Sequence, residues 1–316
     1  MPRRDRERAT KIAGAFRACS SHNNGRLGHG AACWILDRHR VRGILQVCVT
    51  SPEEQCFVAE VSQRKVGPAK VRVVCAGTYI GTSGWHYDHW KGPFYPSGLP
   101  EKAFLEYYAG SFGTAEINNS FYRLPERETL LRWRRAVPGD FVFSVKASRY
   151  LTHMKKLKDP KEPLKRLFYR VDALGDKLGP ILFQLPPRWR SNPARLEGFL
   201  EALPEGQRYA FEFRDHSWFD EKNYELLRSH GSAFCVYDLD CKTSPKEITA
   251  DFAYVRLHGP DGPYRGRYGA ERLARWAGTF SAWLKEGLDV YCYFDNDEVG
   301  YAAKDALEMA RMMEEV

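Results

Sequence analysis

Two carboxylates, one lysine and one histidine lie near the ends of short β-rich runs, where a folded chain could bring them together. Glu116 falls in the run 114–118 and Glu212 in 209–214. Paired carboxylates can divide the work of general acid and general base, as glycosidases use them. Glu212 is equally a candidate ion-pair partner for Arg214 or Lys146. Lys146 ends the run 141–146. If burial lowers its pKa it can attack a carbonyl as a Schiff-base nucleophile, whereas the commoner use of such a lysine is as an anion ligand or salt-bridge partner. His258, followed by Gly259, fits a proton shuttle, a phosphate contact or a hydrogen-bonded structural histidine. Arg214 and Arg256 would stabilise developing negative charge, and Gln184 is a polar neighbour at the end of 180–185.

Further along, 259–269 reads Gly-Pro-Asp-Gly-Pro-Tyr-Arg-Gly-Arg-Tyr-Gly. Glycines let backbone N–H groups approach an oxyanion, and Arg265 and Arg267 could bind it bidentately. The plain alternative is a mobile surface loop. Trp85 and Tyr122 could stack on a base or sugar, although packing in a core is the more frequent use. His86 and His89 invite a metal reading, but they fall in an expected loop with no helix to align them. No metal ligand set is assigned, and no dinucleotide or Walker sequence implies an organic cofactor.

These residues need a scaffold. Strand-like runs recur at 79–83, 114–118, 141–146, 180–185, 209–214, 233–238, 252–258 and 289–294, with helical patterns at 102–108, 128–135, 163–174, 193–202, 223–230, 271–286 and 301–313. A strand-then-helix alternation repeated eight times over 239 residues predicts a TIM-type (β/α)8 barrel. A doubly wound sheet is the alternative, but no Gly-rich nucleotide turn supports it. Side-chain parity sharpens the expectation. Tyr209, Phe211 and Phe213 share one strand face, while Ala210, Glu212 and Arg214 share the other. The apolar faces must meet helices, so Lys146, Gln184, Glu212, Arg214, Arg256 and His258 should point into the barrel at the carboxyl ends of its strands. With the loop arginines, the mouth is expected to be locally cationic. An internal salt-bridge network without a ligand is the structural alternative.

The whole chain has 316 residues, 48 Lys+Arg against 40 Asp+Glu and a net charge of +8. That excess is unevenly placed. Residues 1–77 hold 14 Lys+Arg and 6 Asp+Glu, leaving 34 of each for 78–316. Cys19, Cys33, Cys48, Cys56 and Cys75 also fall before the break, without a C-x-x-C pair that would favour zinc. We therefore divide the chain into a basic, poorly structured N-terminal extension at 1–77, outside the functional unit, and a barrel at 78–316. A mean hydropathy of −0.52 and the lack of a long apolar run argue against a membrane span. Cys235 and Cys292, inside strand runs, read as buried free thiols of a cytoplasmic protein.

The motifs also carry a resemblance. Tyr-Ile-Gly-Thr-Ser-Gly-Trp at 79–85 precedes Tyr87, Trp90, Gly92 and Phe94-Tyr95-Pro96, then Glu116-Ile117-Asn118 and Phe121-Tyr122-Arg123-Leu124-Pro125. Phe143-Ser144-Val145-Lys146-Ala147, Thr152-His153 and Gln184-Leu185-Pro186-Pro187 follow. Glu212-Phe213-Arg214 with Ser217-Trp218, Val255-Arg256-Leu257-His258-Gly259 and Tyr293-Phe294-Asp295-Asn296 complete the series. From Tyr79 to about Met312 the chain resembles the DUF72 (YecE-like) family, whose function is unknown. The resemblance implies a TIM-like barrel, likened to that of endonuclease IV, and adds Asn296 to the candidate binding residues. It departs from the endonuclease likeness in offering one inward histidine where a multi-zinc site needs many ligands.

The combined expectation is an anionic, phosphate-bearing or nucleotide-like small molecule, or nucleic acid, taken at the barrel mouth. Glu116, Glu212, His258 and Lys146 are its candidate catalytic residues. Arg214, Arg256, Gln184, Arg265, Arg267, Asn296, Trp85 and Tyr122 are its candidate binding residues. Phosphodiester hydrolysis is the leading reaction. A non-catalytic nucleic-acid or anion-binding module, and a carbohydrate-active enzyme, are the alternatives.

Overall fold

A computed structural model describes residues 77–314, together with four upstream strand segments. Those segments, Ala32–Ile35, Ile44–Val49, Gln55–Glu60 and Val73–Val74, pair antiparallel in that order. Otherwise, the expectation of a poorly structured extension over 1–77 lies outside the described residues. The chain divides into two compact units, Met1–Cys75 and Ala76–Val316.

The second unit is built on eight parallel strands. We number them β1 (Thr78–Thr82), β2 (Thr114–Ile117), β3 (Val142–Lys146), β4 (Leu178–Gln184), β5 (Tyr209–Glu212), β6 (Ala233–Leu239), β7 (Phe252–Leu257) and β8 (Asp289–Phe294). Hydrogen-bonded pairing runs continuously from β1 through β8, β7, β6, β5, β4 and β3 to β2. The ring closes through a parallel bridge between Ser83 and Glu116. At this seam the ladder is incomplete, and a side chain supplies the missing partners. Tyr108 Oη accepts from the Thr82 N–H at 3.0 Å and donates to the Thr114 carbonyl at 3.0 Å. Gly81 permits the approach, because a Cβ there would fall 2.3 Å from the Thr114 carbonyl oxygen.

Among the described residues seven α-helices follow strands: α1 (Phe104–Ala109), α2 (Arg127–Ala136), α3 (Lys161–Val171), α4 (Pro193–Leu200), α5 (Glu221–Ser229), α6 (Ala270–Lys285) and α7 (Tyr301–Glu314). Sequence-local chemistry starts several of them. Asn192 accepts from the Arg195 N–H ahead of Pro193 in α4, and Asp220 accepts from the Asn223 N–H in α5. The eightfold strand–helix alternation is corrected at the sixth unit, where no helix is described. After β6 the chain turns into a two-residue antiparallel strand, Lys242–Thr243, and returns beside β6. Ser244 Oγ and Thr249 Oγ1 accept the N–H groups of Tyr237 and Phe234, so the returning segment is tied to β6 through hydroxyls.

The parity expectation holds. Phe211, Phe213, Val255, Leu257, Phe143 and Val145 belong to the large core between strands and helices. Leu182, Ala210, Ala233, Cys235, Phe252, Tyr254, Tyr291 and Tyr293 fill the barrel itself. Going up the barrel, this filling turns polar. Tyr293 Oη bonds Thr114 Oγ1 at 2.8 Å and Ser144 Oγ at 2.7 Å, and Tyr254 Oη donates to Glu116 at 2.7 Å. Charged side chains occupy the level above.

Candidate functional site

The charged level is organised by Arg256 at the carboxyl end of β7, which is fully buried. Its Nε and Nη2 hold Glu116 of β2 in a fork, at 3.1 and 2.8 Å. Nη1 donates to Glu212 of β5 at 3.0 Å, and Nη2 also lies 3.0 Å from Asp295. Ser83 completes the set around Glu116, whose two oxygens accept from Ser83, Tyr254 and both sides of the Arg256 fork. All four acceptor sites of that carboxyl are used. Arg214, just past β5, bonds the other oxygen of Glu212 and stacks over the Tyr237 ring at 4.9 Å. Unpaired, such buried charges would cost several kcal/mol each; a saturated set of charge-assisted hydrogen bonds offsets that.

Protonation follows from these contacts. Burial acts to raise the Glu212 carboxyl, but Arg214 and Arg256 outweigh it and hold Glu212 well below the usual carboxylate range. Asp295 moves the other way: burial raises it, and Arg256 and Lys146 offset this only in part. His258 is pushed well below its ordinary value by burial, then by Arg256 and Arg214. Its Nε2 faces Arg214 Nη2 at 3.0 Å and so accepts, which assigns the ring hydrogen to Nδ1, 3.0 Å from Asp295 Oδ2. His258 is therefore neutral within the network and accepts at Nε2.

Lys146 is different. It is 7% exposed, and its Nζ lies 4.4 Å from the centre of the Phe121 ring. Among the described residues no carboxylate lies within ion-pair distance of that amine. Burial, and secondarily Arg256, lower its pKa to about 8, with Glu212, Glu116 and Asp295 opposing the shift. His153, in the loop after β3, packs edge-on to the same Phe121 ring at 5.0 Å. Its pKa falls to about 4 through burial and then Lys146, so it too is neutral. An amine that titrates at about 8 thus stands at the mouth beside a neutral imidazole, above a floor of paired ions.

The floor is not an excess of cations. Arg214 and Arg256 are matched by Glu116, Glu212 and Asp295, so the floor contributes no cationic excess to the mouth. The excess lies on the rim. Arg123, Arg149, Arg188, Arg190 and Arg265, on the loops after β2, β3, β4 and β7, are exposed and have no carboxylate at ion-pair distance among the described residues. Tyr122 (73% exposed), Tyr150 (44%) and Tyr264 (48%) stand on three of those loops. The Tyr264 ring lies edge-on to His258 at 5.5 Å.

The structure brings together Glu116, Lys146, Gln184, Glu212, Arg214, Arg256 and His258 at the strand ends, with Tyr122 and Arg265 on the rim. Three expected binding residues lie elsewhere. Trp85 is buried against Tyr108, Trp133 and Phe143, so it is core and cannot stack on a ligand. Arg267 pairs with Asp305 at 3.3 Å and Glu308 at 2.9 Å on α7, away from the mouth. Asn296 is buried and donates to the Gly266 carbonyl at 2.9 Å and to Asp305 at 2.7 Å. Both residues anchor 259–269, which is therefore a pinned loop and not the free phosphate clamp its glycines suggested. Gly259, with φ +117°, is required where a Cβ would fall 2.2 Å from the Arg265 carbonyl. Ser83, Tyr254, His153, Tyr237, Tyr264 and Asp295 are site residues that sequence reasoning did not assign. Extending strand parity through Tyr291 and Tyr293 would have selected Asp295 in place of Asn296. Among the described residues no group of three or more His, Cys, Asp and Glu is placed to hold a metal ion.

Fold and site define a (β/α)8 barrel with a buried ionic floor at the carboxyl ends of its strands. Residues 79–316 match the family described as "Protein of unknown function DUF72", and the chain belongs to that family. It is 26% identical over 270 residues to the UPF0759 protein YunF of Bacillus subtilis, covering 75% of this chain and 94% of YunF. It is 30% identical over 155 residues to the UPF0759 protein YecE of Escherichia coli K12, covering 48% of this chain and 54% of YecE. A solved DUF72 family protein from Thermotoga maritima superposes with a TM-score of 0.70 at 32% identity, covering 75% of this chain and 99% of the other. Among the described residues no helix is long and apolar enough to cross a membrane.

Proposed function

We propose that the barrel mouth is an active site for a phosphate-bearing, nucleotide-like or single-stranded nucleic-acid substrate. The observation that carries this reading is the rim. Unpaired Arg123, Arg149, Arg188, Arg190 and Arg265 stand with exposed Tyr122, Tyr150 and Tyr264 on the loops around Lys146, a buried amine at a strand end that has no carboxylate at ion-pair distance among the described residues. Guanidinium groups take phosphates, and tyrosine faces take bases irrespective of sequence. For phosphodiester hydrolysis the group able to exchange a proton near neutrality is Lys146, at about 8, and not Glu212, which is locked in its ionised form. The same locking removes Glu212 as the general acid that a carbohydrate-active enzyme would need. The buried free thiols Cys235 and Cys292 suit a reducing compartment such as the cytoplasm.

A non-catalytic binding module is the second reading, favoured by the completeness with which Glu116 is satisfied. One experiment separates the two. Binding of a labelled single-stranded oligonucleotide is followed by anisotropy, and its cleavage by gel, for the wild type and for Lys146→Arg. The enzyme reading expects binding in both and cleavage only in the wild type. Binding without cleavage in either supports the module, and no binding at low salt refutes both.

A further inference from the structure

Lys146 has features that anion binding does not use. An amine kept only to attract phosphate serves best when charged, exposed and adaptable, as the rim arginines are. Lys146 is buried at the end of β3, lies over an aromatic face and lacks a carboxylate within ion-pair distance among the described residues. Burial without a paired carboxylate disfavours the ammonium, against the pull of the Phe121 ring face that favours it, and leaves the lone pair that a carbonyl-attacking lysine requires. Neighbouring carboxylates would normally quench that property, but Glu116 and Glu212 are already committed to Arg256 and Arg214.

Resting on the reading of the mouth given above, we propose that Lys146 is a nucleophilic amine that forms a Schiff base with an aldehyde or ketone carried by the phosphate-bearing substrate. The Nζ lone pair adds to the carbonyl carbon, and the carbonyl π pair passes to oxygen. The two protons of the neutral amine leave with that oxygen as water, giving a C=N bond. No oxidant or reductant is consumed, and hydrolysis by water returns the amine. The aldehyde has two sources of the same chemistry: the ring-opened sugar of a base-free site in a nucleic-acid strand, and a free sugar phosphate. The rim arginines would grip the phosphate in either case, and Tyr122 and Tyr264 would flank a strand.

Borohydride trapping tests this on the full chain. A single-stranded oligodeoxynucleotide with one central abasic site, and separately ribose 5-phosphate, are incubated with the protein and sodium borohydride. The modified peptide is then identified by mass. The adduct is expected at Lys146 ahead of the surface lysines, and Lys146→Arg should lower its yield by about tenfold or more. That variant keeps the charge, and a retained melting temperature and affinity for an intact oligonucleotide establish that it is folded. Trapping with the oligonucleotide alone assigns a strand as substrate; trapping with ribose 5-phosphate assigns a free sugar phosphate. Adducts spread over surface lysines, or a yield unchanged in Lys146→Arg, overturn the proposal. If the intact oligonucleotide binds and neither aldehyde is trapped at Lys146, the Schiff base falls while the reading of the mouth survives. Absence of oligonucleotide binding with trapping by neither probe defeats both.

Discussion

Arg256 reaches across the barrel from β7 and grips Glu116 of β2 with two N–H groups, Nε at 3.1 Å and Nη2 at 2.8 Å. The same guanidinium bonds Glu212 of β5 and Asp295 beyond β8. One side chain therefore ties β7 to β2 and β5, with which it shares no ladder, at the level where the Ser83–Glu116 bridge closes the seam between β1 and β2. The site floor and the closure of the barrel are one structure, so mutations there act on stability before chemistry.

Removing Arg256 leaves three carboxyl groups buried without their shared partner. Arg256→Met is expected to cost about 3–5 kcal/mol, the usual penalty for breaking a buried ion pair from one side. Arg256→Lys should recover little, because an ammonium cannot make the two-pronged contact to Glu116. Urea unfolding at neutral pH checks both.

Acid should unfold the barrel partly through Glu212. Its carboxyl lies below the ordinary range in the folded state, whereas an unfolded glutamate titrates near about 4.3. As pH falls below that value, the unfolded chain takes up the proton more readily and stability is lost. Glu212→Gln should be less stable than the wild type at pH 7. The difference should shrink as pH falls toward 3, and a difference constant with pH would contradict this assignment.

Lys146 works in the opposite sense. Its folded pKa of about 8 is below its ordinary value, so holding the protonated amine in the barrel opposes folding at neutral pH. That penalty is relieved as pH rises through the folded value toward the unfolded one. Burial sets the shift, Arg256 adds to it, and Glu212, Glu116 and Asp295 oppose it. Lys146→Met should raise stability at pH 7 by about 1–3 kcal/mol, shown as a higher melting temperature, while abolishing any turnover.

The loop 259–269 depends on Asp305, which accepts from the Tyr268 N–H at 2.9 Å, from Asn296 at 2.7 Å and from Arg267 at 3.3 Å. Asp305→Ala should leave those donors unpaired and free the loop. Faster amide exchange across 264–268, with β7 still protected, is the expected result; uniform loss of protection would instead mean global destabilisation.

Strand parity made much of the site legible. Glu212, Arg214, Arg256, His258, Gln184 and Lys146 alternate with large apolar residues, and a closed barrel has only one place to put them. Arg267 and Asn296 were not placeable, because their partner Asp305 comes from α7 and leaves no local pattern. Trp85 has the composition of a stacking residue, but its surroundings are set by Trp133 and Phe143, which lie far along the chain. The neutralised charge of the floor was hidden for a similar reason. Sequence shows which ions point inward, while pairing depends on the distances at which eight strand ends converge. The missing sixth helix was legible in part, since 240–251 carries Pro245 and hydroxyl residues but no helical periodicity.

The central claim is that Lys146 stands at the mouth as an amine of lowered pKa, facing the phosphate-bearing substrate. NMR of protein labelled with 13C at lysine Cε reads this directly, with Lys146→Arg assigning the resonance. We expect a lysine titrating at about 8, its midpoint moving upward when a single-stranded oligonucleotide is added, because a bound phosphate favours the charged form. A Lys146 signal that titrates with the surface lysines, or a midpoint unmoved by saturating oligonucleotide, would contradict it.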